Sequence, residues 1–237
     1  MAIESKDPVN DDSLVGVFNE VLRKFLQNTN DMLPAMVVDY DRAINRATVQ
    51  PLIQLIDTDN MVYNRAAFTN IPVLKLGGGD FFVSFHLPQG SLGWIKANDR
   101  DLSLFLSTYV NNRPNTLRMH TFEDAIFIPD IMTDYTIAAE DEQAALIQNK
   151  TGTVRISLTD ARIKLTAPQI EINAPDSVIN ATTSLTINSP QTKITGDSFE
   201  ATTTTFTNNG VNVGSTHGHD QAPDSAGNTE QRVGVPS

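Results

Sequence analysis

The sequence predicts an all-β protein: an OB-fold barrel, then an intertwined trimeric β-helix needle and a small metal-bound tip, with one short N-terminal helix. Three observations predict it. Between residues 34 and 130, short segments rich in branched and aromatic residues alternate with turn signals. From Thr151 to Val213 the composition turns Thr-rich, and apolar residues recur every seven or eight positions. Directly after that segment comes His217-Gly218-His219. The boundaries that follow are an N-terminal arm and helix at 1–33, a barrel at 34–130, a linker at 131–150, a β-helix at 151–213 and a tip at 214–237.

Length and charge bound the rest. The 237 residues are enough for two or three small domains, and the 40% hydrophobic content supplies modest cores. Lys plus Arg number 17 against 28 Asp plus Glu, a formal charge of −11. That balance argues against nucleic acid or anionic lipid as a general partner, because both recruit cationic surfaces. With no cysteine, disulfides and thiolate metal sites are excluded. No run of about 20 apolar residues is present, and Met1–Asp12 lacks the basic-then-apolar layout of a signal peptide. The expectation is a soluble, acidic protein made in a cytoplasm.

Leu14, Phe18, Val21, Leu22 and Phe25 fall at helical spacing, which predicts one amphipathic helix over Ser13–Asn28. Such a helix either packs on its own domain or docks onto another protein. In the barrel region the predicted strands are Ala35–Tyr40, Thr48–Ile56, Met61–Arg65, Ile71–Leu76, Asp80–Leu87, Ser91–Ala97, Leu117–Phe122 and Asp124–Ile128. About five curved strands in so short a span suit an OB-type barrel, with a generic sandwich as the alternative. Gly77-Gly78-Gly79 is turn chemistry rather than a phosphate cradle, since the Lys and Ser/Thr of a P-loop are missing.

The Thr-rich segment carries the clearest pattern. Fourteen of its 63 residues are Thr. Leu158, Leu165, Ile172 and Ile179 are seven apart, and Ile187, Ile194 and Ala201 continue the ladder; Phe199, Phe206 and Val213 make a second one. A seven-residue period usually means a coiled coil, but Pro168, Pro175 and Pro190 lie inside it, each costing about 3 kcal/mol in a helix interior. Within each repeat the apolar pair is spaced i, i+2, as in Ile163/Leu165 and Ile170/Ile172, which is the period of a strand. Each repeat is then a three-residue strand and a tight turn. Two Ile or Leu side chains at about 25 cal/mol per Å² do not offset roughly 1–2 kcal/mol of ordering per residue. Three chains wound around one axis bury each side chain against its symmetry mates and pair every edge. A single-chain solenoid is the alternative.

In a single chain, His217 and His219 are a weak signal, and two solvated histidines are the plain reading. In a trimer they become six imidazoles on the threefold axis, enough for a closed octahedral shell. Imidazole suits iron, nickel, copper and zinc, and six-coordination disfavours zinc among these, leaving an octahedral transition metal. A saturated shell clamps chain ends rather than catalysing. Calcium in the tip loops has no EF-hand-like spacing behind it.

The whole chain resembles the baseplate central spike, the membrane-puncturing protein of contractile-tailed bacteriophages. Residues 34–130 are similar to the N-terminal OB domain of one such family. The resemblance is carried by Asn45-Arg46-Ala47-Thr48-Val49-Gln50-Pro51-Leu52-Ile53, Ile71-Pro72-Val73, Gly77-Gly78-Gly79 leading to Phe85, Gly90 and Gly93, and Asp99-Arg100-Asp101. It continues through Leu117-Arg118-Met119-His120 and Asp124-Ala125-Ile126-Phe127-Ile128-Pro129. The Thr-rich rod followed by His217-Gly218-His219 is similar to the family's needle, where this motif from three chains binds an iron ion near the tip. The resemblance does not extend to the helix at 13–28, and after His219 it covers only polarity and length. It implies a homotrimer in the virion, at the tip of the tail baseplate, assembled in the host cytoplasm. It also implies attachment to the tail hub through the OB end, and mechanical passage through the host outer membrane on sheath contraction.

Readings from other classes compete. No fold-sized insertion for an enzyme is present, and His86 and His120, in strand-like segments, lack a nucleophile partner, so no catalysis is expected. A carbohydrate-binding module on a stalk is the stronger rival, since OB barrels hold oligosaccharides, but Trp94 is the single tryptophan. A spike of a phage-derived secretion or injection system has nearly the same sequence pattern.

Overall fold

The computed structural model describes residues 13–56, 61–203 and 205–214. The chain divides into two compact units, Met1–Ile172 and Asn173–Ser237. In the first unit, helix α1 spans Leu14–Asn28, opened by the Ser13 hydroxyl accepting from the Gly16 amide at 3.0 Å. Three residues later the barrel begins. Its principal strands are β1 (Met32–Asp41), β2 (Arg46–Pro51), β5 (Phe68–Pro72), β8 (Leu92–Asn98) and β9 (Thr121–Pro129), hydrogen-bonded in the order β5-β2-β1-β8-β9. A parallel bridge between Val73 and Phe127, with the Leu74 amide donating to the Phe127 carbonyl at 2.8 Å, brings the two ends together. Strand β8 returns to lie beside β1 rather than β5, so the antiparallel strands, closed by one parallel contact, fit the Greek-key connectivity of an OB-like barrel.

Strict alternation makes this barrel. In β2, Ala47, Val49 and Pro51 point inward; in β8, Gly93, Ile95 and Ala97 do so. They meet Val37, Ile71, Phe122 and Phe127 in one core. Irregularities between Val37 and Asp39, Ala47 and Val49, and Ala97 and Asn98 add the local bending that closure requires. At Gly93 a side chain has no room, because an added Cβ lies 2.5 Å from the Phe127 ring.

Two hairpins project from the frame: β3 (Leu55–Ile56) with β4 (Val62–Tyr63), and β6 (Leu76–Gly78) with β7 (Phe81–Val83). The triple glycine enters β6 and its turn, with Gly79 at φ 58°, so it is turn chemistry as expected. Two details differ from the sequence expectation. A second short helix, α2 (Ser103–Thr108), lies between β8 and β9. Leu117–His120 forms no strand; β9 starts at Thr121, after His120 takes a left-handed φ of 50°. The polar ties of Asp101 and Arg118, described below, hold this stretch as a loop.

Within the expected linker, a 3-10 turn at Ala139–Asp141 precedes strand β10 (Ala145–Gln148). This strand pairs with β11 (Arg155–Thr159), which pairs with β12 (Arg162–Thr166), giving a three-stranded antiparallel sheet.

In the second unit, residues 173–203 contain no strand. A hairpin of β13 (Thr207–Asn208) and β14 (Val211–Asn212) turns on Asn209 and Gly210, both at positive φ, the residue pair such a two-residue turn demands. No helix among the described residues is long and apolar enough to cross a membrane.

Candidate interaction surfaces

The three-stranded sheet is inverted relative to an ordinary surface sheet. Arg155, Ser157, Arg162 and Lys164 share one face, because Ser157 sits opposite Lys164, and Thr159 opposite Arg162. The centre of that face, at Ser157, is the covered part of the sheet, while Thr159 and Arg162 at its edge stay exposed. The turn carrying Glu140 and Asp141 closes over that centre, leaving Asp141 1% and Ser157 0% exposed. Asp141 accepts from the Ser157 hydroxyl at 2.6 Å and from Arg155 Nε at 2.7 Å. Glu140 accepts from Arg155 Nη2 at 2.7 Å and Lys164 Nζ at 2.6 Å. The hydrogen bond from Ser157, then the Arg155 guanidinium, holds the Asp141 carboxyl below the usual carboxylate range.

The opposite face carries Ile147, Ile156, Leu158, Ile163 and Leu165, all exposed. Ile156 pairs with Leu165, and Leu158 with Ile163, so these side chains form a continuous apolar surface. The exposure continues along the repeat. Ile172, Val178, Ile179, Leu185, Ile187 and Ile194 are each at least 60% exposed in the single chain. The apolar residues of the repeat read from sequence are thus left in water by the single chain. The expected succession of three-residue strands is not present in the single chain: among the described residues of the repeat, strands occur at its start, in the five-residue β11 and β12, and in the two-residue β13 and β14.

On the barrel, the β8–β9 connection is held by a buried carboxylate pair. Asp101 accepts from the Ser103 amide at 2.8 Å and the Thr116 hydroxyl at 2.7 Å. Asp124 accepts from the Leu102 amide at 3.2 Å and faces Arg118 Nε at 3.1 Å. Arg118 also approaches Asp101, at 3.5 Å. Hydrogen bonds from Ser103 and Thr116, with a smaller Coulombic contribution from Arg118, hold the Asp101 carboxyl well below the ordinary range. These groups are structural ties: all four carboxylate oxygens of Asp101 and Asp124 accept from groups of this connection.

The β6–β7 hairpin presents Leu76, Phe81, Phe82 and Val83 to solvent, with Phe81 85% exposed, and Lys75 lies over the Phe82 ring at 4.8 Å. Strand alternation assigns half of such a run to the core. The adjacent pair Phe81-Phe82 breaks that alternation, and is the sequence signal that both faces of this hairpin are apolar. Exposed apolar surface of this kind marks an interaction site.

The individual site residues fall as follows. His217 and His219 lie outside the described residues. His86 and His120 are in loops rather than strands, and His120 Nε2 lies 3.2 Å from Asp99 Oδ1. Trp94 donates its indole N–H to Asp130 at 2.9 Å. Among the described residues, no group of three or more His, Asp or Glu is placed to hold a metal ion.

No curated protein matches the chain. Residues 33–130 match the family model described as the phage protein Gp138 N-terminal domain. The barrel is therefore similar to a phage-protein domain, which supports a phage baseplate or spike type of protein and a place in the virion.

Proposed function

We propose that the chain is one third of a homotrimeric central spike at the tip of a contractile phage tail. Its work is mechanical, with no catalytic step: sheath contraction drives it through the host outer membrane. The observation that carries this reading is the inverted sheet at β10–β12, whose polar face is tied down within the chain while its apolar face is left in water, as are the apolar residues of the repeat from Ile172 to Ile194. Burying a Leu or Ile side chain is worth about 1.5–3 kcal/mol. Two further copies around one axis bury every one of these residues and pair the free strand edges. The phage-type barrel at one end gives the rod an attachment point to a tail hub.

At the far end, His217 and His219 from three chains supply six neutral imidazoles, a donor set suited to one iron ion. The ion would tie three chain ends that otherwise fray under load. Native mass spectrometry of the full chain tests both parts. The expected result is a single species at three times 25.9 kDa, carrying the mass of one iron atom. A trimer without metal removes the clamp and leaves the spike. A monomer removes the rod and with it the reading.

A further inference from the structure

Helix α1 is an apolar half-cylinder whose large side chains are left in water. Every large apolar residue from Leu14 to Leu26 is more than half exposed. At 3.6 residues per turn these side chains sweep an arc of about 180°. Along its middle, Leu14, Phe18, Val21 and Phe25 are spaced four, three and four, the seam of a heptad. Val15 and Leu22 widen the seam on one flank. Glu20, Arg23 and Lys24 sit on the other side of the cylinder, where Arg23 Nη2 pairs with Glu20 at 2.8 Å. A 15-residue helix of this kind is marginal in water by itself.

We propose that α1 forms a parallel three-helix bundle with the same helix of two further copies of this chain. This rests on the trimeric reading above but concerns a different interface, at the opposite end of the barrel sequence from the rod. Three features select this occupant. A two-stranded seam needs only a narrow stripe, whereas an arc of about 180° covers the two flanking neighbours that each helix has in a bundle of three. The apolar area matches the need: with roughly 150–250 Å² carried by each Phe, the stripe approaches the roughly 800 Å² per partner of a standard interface.

The third feature is position. Only three residues separate α1 from β1. Within that link the Asn30 amide donates to the His120 carbonyl at 3.1 Å, and Asn30 Oδ1 accepts from Arg65 Nη1 at 3.3 Å. Each helix is therefore tied at its base to its own barrel. In a threefold assembly the three bases are held at one height and at equal distance from the axis, and the tethering raises the effective concentration of one helix for the next, which offsets the short length of the helix. Closed cyclic symmetry also places the same residue of each chain at the axis, which makes the bundle parallel. An anionic membrane is the weaker occupant, because the polar side carries only two cations and the chain bears −11.

The absence of cysteine permits a direct test on the full chain. Val21→Cys and Leu14→Cys place one thiol on the seam, and Arg23→Cys places one on the outer side. Each variant is treated with a short bis-maleimide, and its assembly state is followed by native mass spectrometry. The expected result is a trimer in all three, with cross-linked dimers forming at least tenfold faster from the two seam variants than from Arg23→Cys, at a rate independent of dilution. A trimer in which seam thiols stay unlinked, or link no faster than Cys at 23, overturns the bundle while leaving the trimeric spike in place. In that case, capture of α1 by vesicles containing anionic lipid would assign it to a membrane. A monomeric chain overturns both proposals together.

Discussion

Ser157 and Asp141 are bonded at 2.6 Å beneath the β10–β12 sheet, and neither is open to solvent. Because that pair closes the polar face, the apolar face is left outward. In Asp141→Asn, the carboxylate that accepts from Ser157 and Arg155 is gone. Hydrogen exchange over 145–166 should accelerate at neutral pH. The native carboxyl is depressed, so its contribution is present above the ordinary Asp range and lost as pH falls through the depressed value. The exchange rates of the two proteins should converge in acid.

Phe127 is fully buried, and its backbone carries the parallel contact that brings β5 and β9 together. Phe127→Ala should cost about 3–5 kcal/mol of barrel stability in denaturant unfolding. Loss of less than 1 kcal/mol would mean that the barrel is not centred on this ring.

Thr116→Val removes one donor from the buried Asp101 carboxylate. A cost of about 1–3 kcal/mol is expected at pH 7. The Asp101 contribution is complete above the ordinary Asp value of about 3.9 and falls away toward the depressed native value. The difference between the variant and the parent should therefore shrink as pH drops below about 4. A difference that is constant with pH would point to packing of the Thr methyl instead.

Leu165→Asp discriminates between a chain that works alone and one that assembles. Leu165 is 52% exposed, so in a monomer the change is nearly neutral, within about 0.5 kcal/mol. In the trimer three carboxylates are forced into one apolar layer. Native mass spectrometry should show loss of the trimer with an intact barrel.

His217→Ala combined with His219→Ala should abolish iron binding, measured by elemental analysis of the purified protein, while the trimer persists. Acid should release the metal from the parent chain as well, because protonated imidazole is not a ligand. A double variant that no longer trimerises would make the histidines part of the assembly core.

Much of the barrel was legible because half-buried strands obey a period of two. Ala47/Val49 and Gly93/Ile95/Ala97 alternate as the residues inside do. Helix α1 was legible for the same reason at a period of 3.6. The β8–β9 connection was not. Leu117–His120 has strand-like composition, yet Arg118 is taken up by Asp101 and Asp124, and long-range polar ties leave no periodic trace. Strand β10 was missed because Ala145–Gln148 has no strand signal apart from its pairing with β11. The family match over 33–130 agrees with the resemblance carried by the barrel residues, and concerns that part of the chain alone.

By itself the sequence determined which residues are apolar and at what interval, and hence the strands of the barrel, the helix at 14–28 and the seven-residue ladder. Periodicity is a local property and survives in one dimension. Only the tertiary structure decided which side of each element faces water. The pairing of Ser157 with Lys164 puts the charges on one face, and the turn at Glu140-Asp141 covers that face, through contacts far apart in the chain. Burial is a property of the whole arrangement. For that reason the outward-facing Ile and Leu of β11 and β12 became visible only once the sheet was formed.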